Sequence, residues 1–254
     1  MNYRQIDFFD PIEQIKNIGS DNYYKIKHYI DALASISKLI DLSFYVVDYY
    51  KKEFYYVSSN PLFLSGYSQD EVLNMGFDFY LEVVPKEDLE LLFSLNDAGF
   101  KFFYELPMER RDKGTISYDF RLKHKNRQSV VMINHKLTPL LLTEEGNIWM
   151  SICLVTLSTR NTSGDVHIIM QDDLSRYDLD QRKKIFVKST PQKLSKREIE
   201  IIKLIALGYR LEGVAESLQI SKSTVKNHKT NLFRKLNADT AAEAVFYASK
   251  IGII

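Results

Sequence analysis

From Ile116 to Lys123 the chain alternates strictly. Ile116, Tyr118, Phe120 and Leu122 are apolar, and Ser117, Asp119, Arg121 and Lys123 are polar. Successive strand side chains point to opposite faces, so this period of two predicts a half-buried strand. A second pattern places Ile148, Met150, Ile152 and Leu154 on one face, opposite Trp149, Ser151, Cys153 and Val155. Turn residues at Lys125-Asn126-Arg127 and Glu145-Gly146-Asn147 separate three successive strands, about 115–124, 129–140 and 147–157. Two earlier strands fit 43–48 and 54–58, with helices around 60–73 and 86–105. Residues 1–40 read as helical, with apolar positions at Tyr29, Ile30, Leu33, Ile36 and Ile40.

Beyond residue 158 the pattern changes. Residues 159–190 hold polar turns at Asn161, Ser163 and Gly164 and two short apolar runs, 167–170 and 184–187, which predict a small hairpin or an ordered connector. Pro191 marks a boundary, because the residue before a proline disfavours helix. From there the chain is helical. Ser195 and Glu198 have the spacing of a capping box, in which each side chain satisfies a free backbone N–H at a helix start. Ile199, Ile202 and Ala206 recur at helical spacing up to a stop at Gly208. Val214, Ala215 and Leu218 form the inward face of a second, short helix, and Gln219-Ile220 makes a tight connection. Ser221 caps a third helix that runs to about Leu236 and ends near Asn237. Asp239 caps a fourth, rich in alanine.

Composition adds one asymmetry. The formal net charge is +1. From Thr190 onward, however, eleven Lys/Arg face six Asp/Glu, a net of +5 on a body of −4. A basic end on an acidic body suits a polyanionic partner. The single cysteine, Cys153, excludes an internal disulfide and a cysteine-rich metal site. No run of about 18 apolar residues predicts a membrane span, and the N-terminus lacks the apolar segment of a secretory signal. The chain reads as cytoplasmic.

Two short helices joined by a tight turn, the second one basic, form the helix-turn-helix pattern. At 100° per residue, Val225, Leu232 and Leu236 face inward, while Ser223, Asn227, Thr230 and Arg234 face outward with Lys226 beside them. Residues 221–235 contain five Lys/Arg and no acid. An outer face of amide, hydroxyl and cation suits base edges in the major groove. Lys222 and Lys229 lie nearer the core edge and suit phosphates.

Leu194–Ala248 resembles the LuxR/GerE-type helix-turn-helix family at Leu194-Ser-Lys-Arg-Glu198, Gly208, Val214-Ala215, Ser221-x-x-Thr224-Val225-Lys226-x-His228 and Lys235-Leu236. The resemblance implies a four-helix domain whose third helix enters the major groove, with Lys226, Asn227 and Thr230 toward bases and Thr224 on phosphate. Ser223, Lys222, Lys229 and Arg234 complete the expected phosphate contacts. The resemblance also implies a dimerising fourth helix, for which Ala241, Ala242, Val245 and Ala248 offer a small-residue face. Gly213 departs from the family, which carries a polar helix former there, at roughly 1 kcal/mol against alanine.

The order β-β-α-α-β-β-β resembles a PAS domain over residues 41–158. The matching residues are Phe44–Asp48, Tyr56-Val57-Ser58-Ser59-Asn60, Gly66-Tyr67-Ser68-Gln69-Asp70-Glu71-Val72 and Val84-Pro85-x-x-Asp88. The expected fold class is therefore α+β: a PAS-like antiparallel five-stranded sheet with flanking helices, then an all-α four-helix helix-turn-helix domain over 191–254. A PAS-like domain implies sensing or protein interaction without specifying a ligand. Cys153 lies in the last strand, where it does not suit cysteine-linked flavin. No histidine lies between Lys51 and Lys123 to hold haem, and one cysteine cannot hold an iron–sulfur cluster. A small non-covalent ligand and a packed, empty core both stay open. So the cofactor is unknown and no metal site is expected.

These readings converge on a sequence-specific regulator that binds double-stranded DNA as a homodimer and contacts RNA polymerase, with the PAS-like domain modulating dimerisation or activity. The alternative is a PAS-based protein-interaction adaptor that does not use its helix-turn-helix on DNA. No Ser/His/Asp frame, HExxH or GxxxxGK[ST] supports an enzyme.

Overall fold

The computed structural model describes Phe8, Ile15, residues 17–189, 193–236, Ala238, residues 240–250 and 252–254. The expectations at Pro191, Asn237 and Asp239 lie outside these residues. The chain divides into two units, Met1–Lys188 and Ser189–Ile254.

In the first unit, helix α1 (Ser20–Leu39) precedes β1 (Ser43–Asp48) and β2 (Glu53–Val57). Four helices follow: α2 (Pro61–Leu64), α3 (Gln69–Met75), α4 (Asp78–Val83) and α5 (Lys86–Glu105). Local chemistry sets their starts. Asn60 caps α2 by accepting from the Leu62 N–H, with Pro61 at the first helical position. Ser68 and Glu71 form a reciprocal capping box on α3. Asp88, buried in the first turn of α5, accepts from the Arg121 guanidinium at 2.7 and 2.9 Å, from the Arg121 backbone N–H and from the Ser163 hydroxyl, tying α5 to the sheet. Against the opposing effect of burial, these bonds hold its carboxyl below the usual range.

The sheet continues with β3 (Gly114–Lys123), β4 (Val130–Leu142), β5 (Ile148–Leu157), β6 (Gly164–Met170), β7 (Arg176–Asp180) and β8 (Ile185–Lys188). It is one eight-stranded sheet of order β2-β1-β5-β4-β3-β6-β7-β8, and the paired strands are antiparallel. The architecture is α+β as expected, but the expected count of five strands is corrected to eight. The segment 159–190, expected as a small hairpin or an ordered connector, supplies β6–β8. Val166, Ile168 and Met170 are buried in the main core. Phe102 of α5 meets Tyr177 of β7 and Phe186 of β8 at ring distances of 4.8 and 5.6 Å.

The inner face of the sheet packs on α2–α5. Tyr45, Val47, Phe54, Ile116, Tyr118, Phe120 and Ile133 meet Phe63, Phe79, Leu92, Leu95 and Phe103 in one core. Burying an aromatic or aliphatic side chain of this size contributes roughly 1.5–3 kcal/mol. On β5 the inner face is Ser151, Cys153 and Val155, all buried. Met150 and Ile152 face the other way, where Ile26 and Ile30 of α1 cover Phe44 and Val46. Of the apolar positions expected to organise α1, Ile30 is buried and Leu33 half-buried, but Tyr29, Ile36 and Ile40 are exposed. Ile26 is buried in their place.

The second unit holds four helices: α6 (Lys196–Ala206), α7 (Leu211–Leu218), α8 (Lys222–Leu236) and α9 (Ala241–Lys250). Ile201, Ile202, Val214, Val225, Leu232, Leu236, Ala244 and Ala248 make its core.

Candidate nucleic-acid interface

Helix α8 is placed by its neighbours before its outer face can act. The Ser195–Glu198 capping box starts α6: Ser195 Oγ accepts from the Glu198 N–H, and Glu198 Oε2 accepts from the Ser195 N–H at 2.7 Å. That same buried carboxylate takes a 2.8 Å bond from Lys235 at the far end of α8. Burial pushes the Glu198 carboxyl up, but the Lys235 and Ser195 bonds outweigh it and hold it below the usual range. Helix α7 ends at Gln219 in the left-handed conformation, φ +51°, and the chain turns at once into α8. Ser221 Oγ accepts from the Thr224 N–H at 3.1 Å, which satisfies a free donor of the first turn.

Val225, Leu232 and Leu236 of α8 are buried, as the sequence wheel predicts. Ser223, Lys226, Asn227, Thr230 and Arg234 are exposed, and Thr224 and Lys229 are half-buried. The expected base-contacting residues therefore share one open face of a helix without acidic residues. Several expected phosphate contacts already hold local partners. The Ser223 and Thr224 hydroxyls lie 2.7 and 2.8 Å from Ser221 Oγ. Thr230 donates to the Lys226 carbonyl, so its oxygen is left free to accept. Lys222 is 3.0 Å from Glu212, whose carboxyl it holds below the usual range. Both are exposed, and a phosphate can compete for the lysine. Lys229 lies 5.1 Å from the Phe233 ring. His228 is half-buried beside these residues.

Two further positions qualify the sequence reading. A Cβ at Gly213 would sit 3.0 Å from Tyr209 Cδ1, so a larger residue would displace that ring. On α9, Ala242 is exposed and Ala241 and Val245 are half-buried, whereas Ala248 is fully buried. Ala248 is thus corrected from the dimerising face to this unit's own core; four residues before it, Ala244 faces the same way. Sequence reasoning missed the Glu198–Lys235 link, which joins residues 37 apart and carries no local signal.

Among the described residues no cluster of three His, Cys, Asp or Glu is arranged to hold a metal ion. None of the described helices is long and apolar enough to cross a membrane.

Residues 192–248 match the family described as bacterial regulatory proteins, luxR family. The chain is 51% identical over 57 residues to the oxygen regulatory protein NreC of Staphylococcus carnosus, covering 22% of this chain and 26% of that one. It is 42% identical over 60 residues to the transcriptional regulatory protein YxjL of Bacillus subtilis, covering 24% and 28%. The chain thus spans about a quarter of the length of the curated relatives it matches. Among solved structures it is similar to the Vibrio cholerae VqmA dimer, at 14% identity over 84% of this chain and 83% of that one, with a TM-score of 0.32.

Proposed function

We propose that this chain, whose residues 192–248 are a LuxR-family helix-turn-helix domain, is a sequence-specific transcriptional regulator that acts on double-stranded DNA in the cytoplasm. Helix α8 enters the major groove. Lys226, Asn227 and Thr230 read base edges, and Lys222, Ser223, Thr224, Lys229 and Arg234 hold the phosphates. The observation that carries this reading is the exposed Lys226–Asn227–Thr230 face on a helix with no acid, pinned at one end by the Ser221 cap and at the other by Lys235 on Glu198. Cations and amides presented on a fixed helix match the donor and acceptor pattern of the groove.

Residues 41–158 act as a PAS-like sensor, extended by the strands of 159–190, and helix α1 covers one side of its sheet. The sensor modulates dimerisation or activity. The regulator works as a homodimer through Ala241, Ala242 and Val245 of α9, matching two half-sites of one operator. The regulatory character of the curated relatives NreC and YxjL supports this reading. It gives no support to the adaptor alternative.

The test is selection of bound sequences from random duplex DNA by the full chain. Enrichment of a palindrome, lost in Lys226→Ala/Asn227→Ala, is the expected result. Selection of no sequence by the wild-type chain, with or without a small molecule bound to its first unit, would overturn the reading.

A further inference from the structure

Inside the first unit, between the inner face of the sheet and α5, lies a cavity of about 70 Å³. A cavity takes in a water once about 10–15 Å³ is open to it, so this one has room for a small molecule of several non-hydrogen atoms. Its walls are largely aromatic. Tyr49 meets Phe100 edge-on at 5.1 Å, and Tyr118 sits 4.7 Å from the His135 ring.

A polar chain runs along one wall. The Tyr80 and Tyr45 hydroxyls are hydrogen-bonded to each other, and Tyr45 Oη lies 2.5 Å from His135 Nε2. His135 is fully buried, and its other ring nitrogen, Nδ1, has no hydrogen-bond partner among the described residues. A buried polar atom left in this way is costly, and native proteins pair nearly all of them. The ring is neutral, so one nitrogen carries the proton. If Tyr45 donates to Nε2, Nδ1 is a donor. If Nε2 donates to Tyr45, Nδ1 is an acceptor.

Among the described residues the wall carries no charge: no Asp, Glu, Lys or Arg of theirs lines the cavity. Burial pushes His135 down to about 3 and Cys153 up to about 12, and raises Tyr45, Tyr80 and Tyr118 above the usual range for tyrosine. An ion entering this space would find no opposite charge. Flat rings, by contrast, pack well among aromatic edges and faces.

We propose that this cavity binds a small, uncharged, planar molecule that is held by a hydrogen bond to His135 Nδ1. The inference rests on the reading of the first unit as a sensor and names the chemistry of what it senses.

The test titrates the full chain, labelled with ¹⁵N at histidine, with three five-membered rings of similar shape. Pyrazole is neutral and carries both a donor and an acceptor. Thiophene is neutral without either, and tetrazolate is an anion. Pyrazole is expected to bind saturably and to move the His135 Nδ1 resonance, with affinity about tenfold above thiophene for the one added buried hydrogen bond. Tetrazolate is expected to give no saturable change. In His135→Phe the preference for pyrazole should vanish. Should that variant not fold, the Nδ1 resonance of the wild-type chain decides alone. Absence of saturable pyrazole binding, equal affinity for pyrazole and thiophene, a silent Nδ1, or preferred binding of tetrazolate would each overturn the proposal. Lys226→Ala/Asn227→Ala is expected to titrate like the wild type, so failure of the DNA-binding reading appears in the DNA assay and failure of this one in the titration.

Discussion

The Lys235 ammonium donates a 2.8 Å bond to the Glu198 carboxylate, and the same oxygen caps the start of α6 by accepting from the Ser195 N–H. One buried carboxylate therefore joins the first and third helices of the second unit. Removing Lys235 would strand a carboxylate hidden from water, and removing Glu198 takes away both the α6 cap and the partner of a half-buried lysine. Glu198→Ala is expected to destabilise this unit by about 3 kcal/mol, read as lost hydrogen-exchange protection of α6 and α8 in the full chain. Glu198→Leu combined with Lys235→Leu should recover much of that loss, because no charge is left unpaired. A double variant as unstable as the single one would refute the role of the pair.

The outer face of α8 should separate from stability. Lys226→Ala/Asn227→Ala is expected to weaken binding to a selected site by at least about tenfold, at roughly 1–3 kcal/mol per lost base contact. Its melting temperature should stay at the wild-type value, because both residues are exposed. With three cationic phosphate contacts per protomer (Lys222, Lys229 and Arg234) and so six in the homodimer, the log–log salt dependence of binding should have a slope of about −5. Arg234→Ala, which removes one cation from each protomer, should make that slope shallower by about two. Binding titrations across salt concentrations check both expectations.

Gly66 has φ +91°, and a Cβ there would run into the His124 ring. Gly66→Ala combines backbone strain with this collision and is expected to cost about 2 kcal/mol in the first unit. Urea unfolding of the two proteins measures it, and an unchanged midpoint would contradict the argument.

His135 predicts a pH dependence. Burial holds its folded value down to about 3, while an unfolded histidine titrates near its ordinary value of about 6.5. Below 6.5 the unfolded chain binds a proton that the native chain refuses. Stability is therefore complete above that value and falls as pH drops toward 3, by up to about 1.4 kcal/mol per pH unit. Buried carboxylates such as Asp88, held below their usual range, lose stability in the same direction at lower pH. The comparison is thus urea midpoints between pH 6.5 and 5, for the wild type and His135→Gln. The wild type should decline more steeply.

The legible parts of this sequence were those whose signals are local. The alternation of Ile116 to Lys123, the capping pair Ser195–Glu198, and the inward line of Val225, Leu232 and Leu236 depend on neighbours a few residues away. What stayed hidden depends on distant partners. Strands β6 and β7 carry charges such as Asp165 and Arg176, and the turn between them carries Asp172, which meets Arg110 at 2.7 Å across 62 residues. On β5 the more apolar row, Met150 and Ile152, turned out to be the outer one, because α1 buries it from behind. His135 looks unremarkable within a strand. Its meaning comes from Tyr45, ninety residues earlier in the chain.

The sheet order also governs how this protein is made. Strand β1 lies between β2 and β5, and Ser43 pairs with Val155, 112 residues later. At about 5–20 residues per second, a ribosome needs roughly 5–20 s to deliver that partner. Through this interval β1 has β2 as its one strand partner, and the edge that β5 will occupy stays open. Strands β6 to β8, by contrast, pair in the order in which they emerge. The nascent chain is therefore most exposed to wrong pairing in its first half, and a chaperone that shields an unpaired strand edge would matter most before Val155 has appeared.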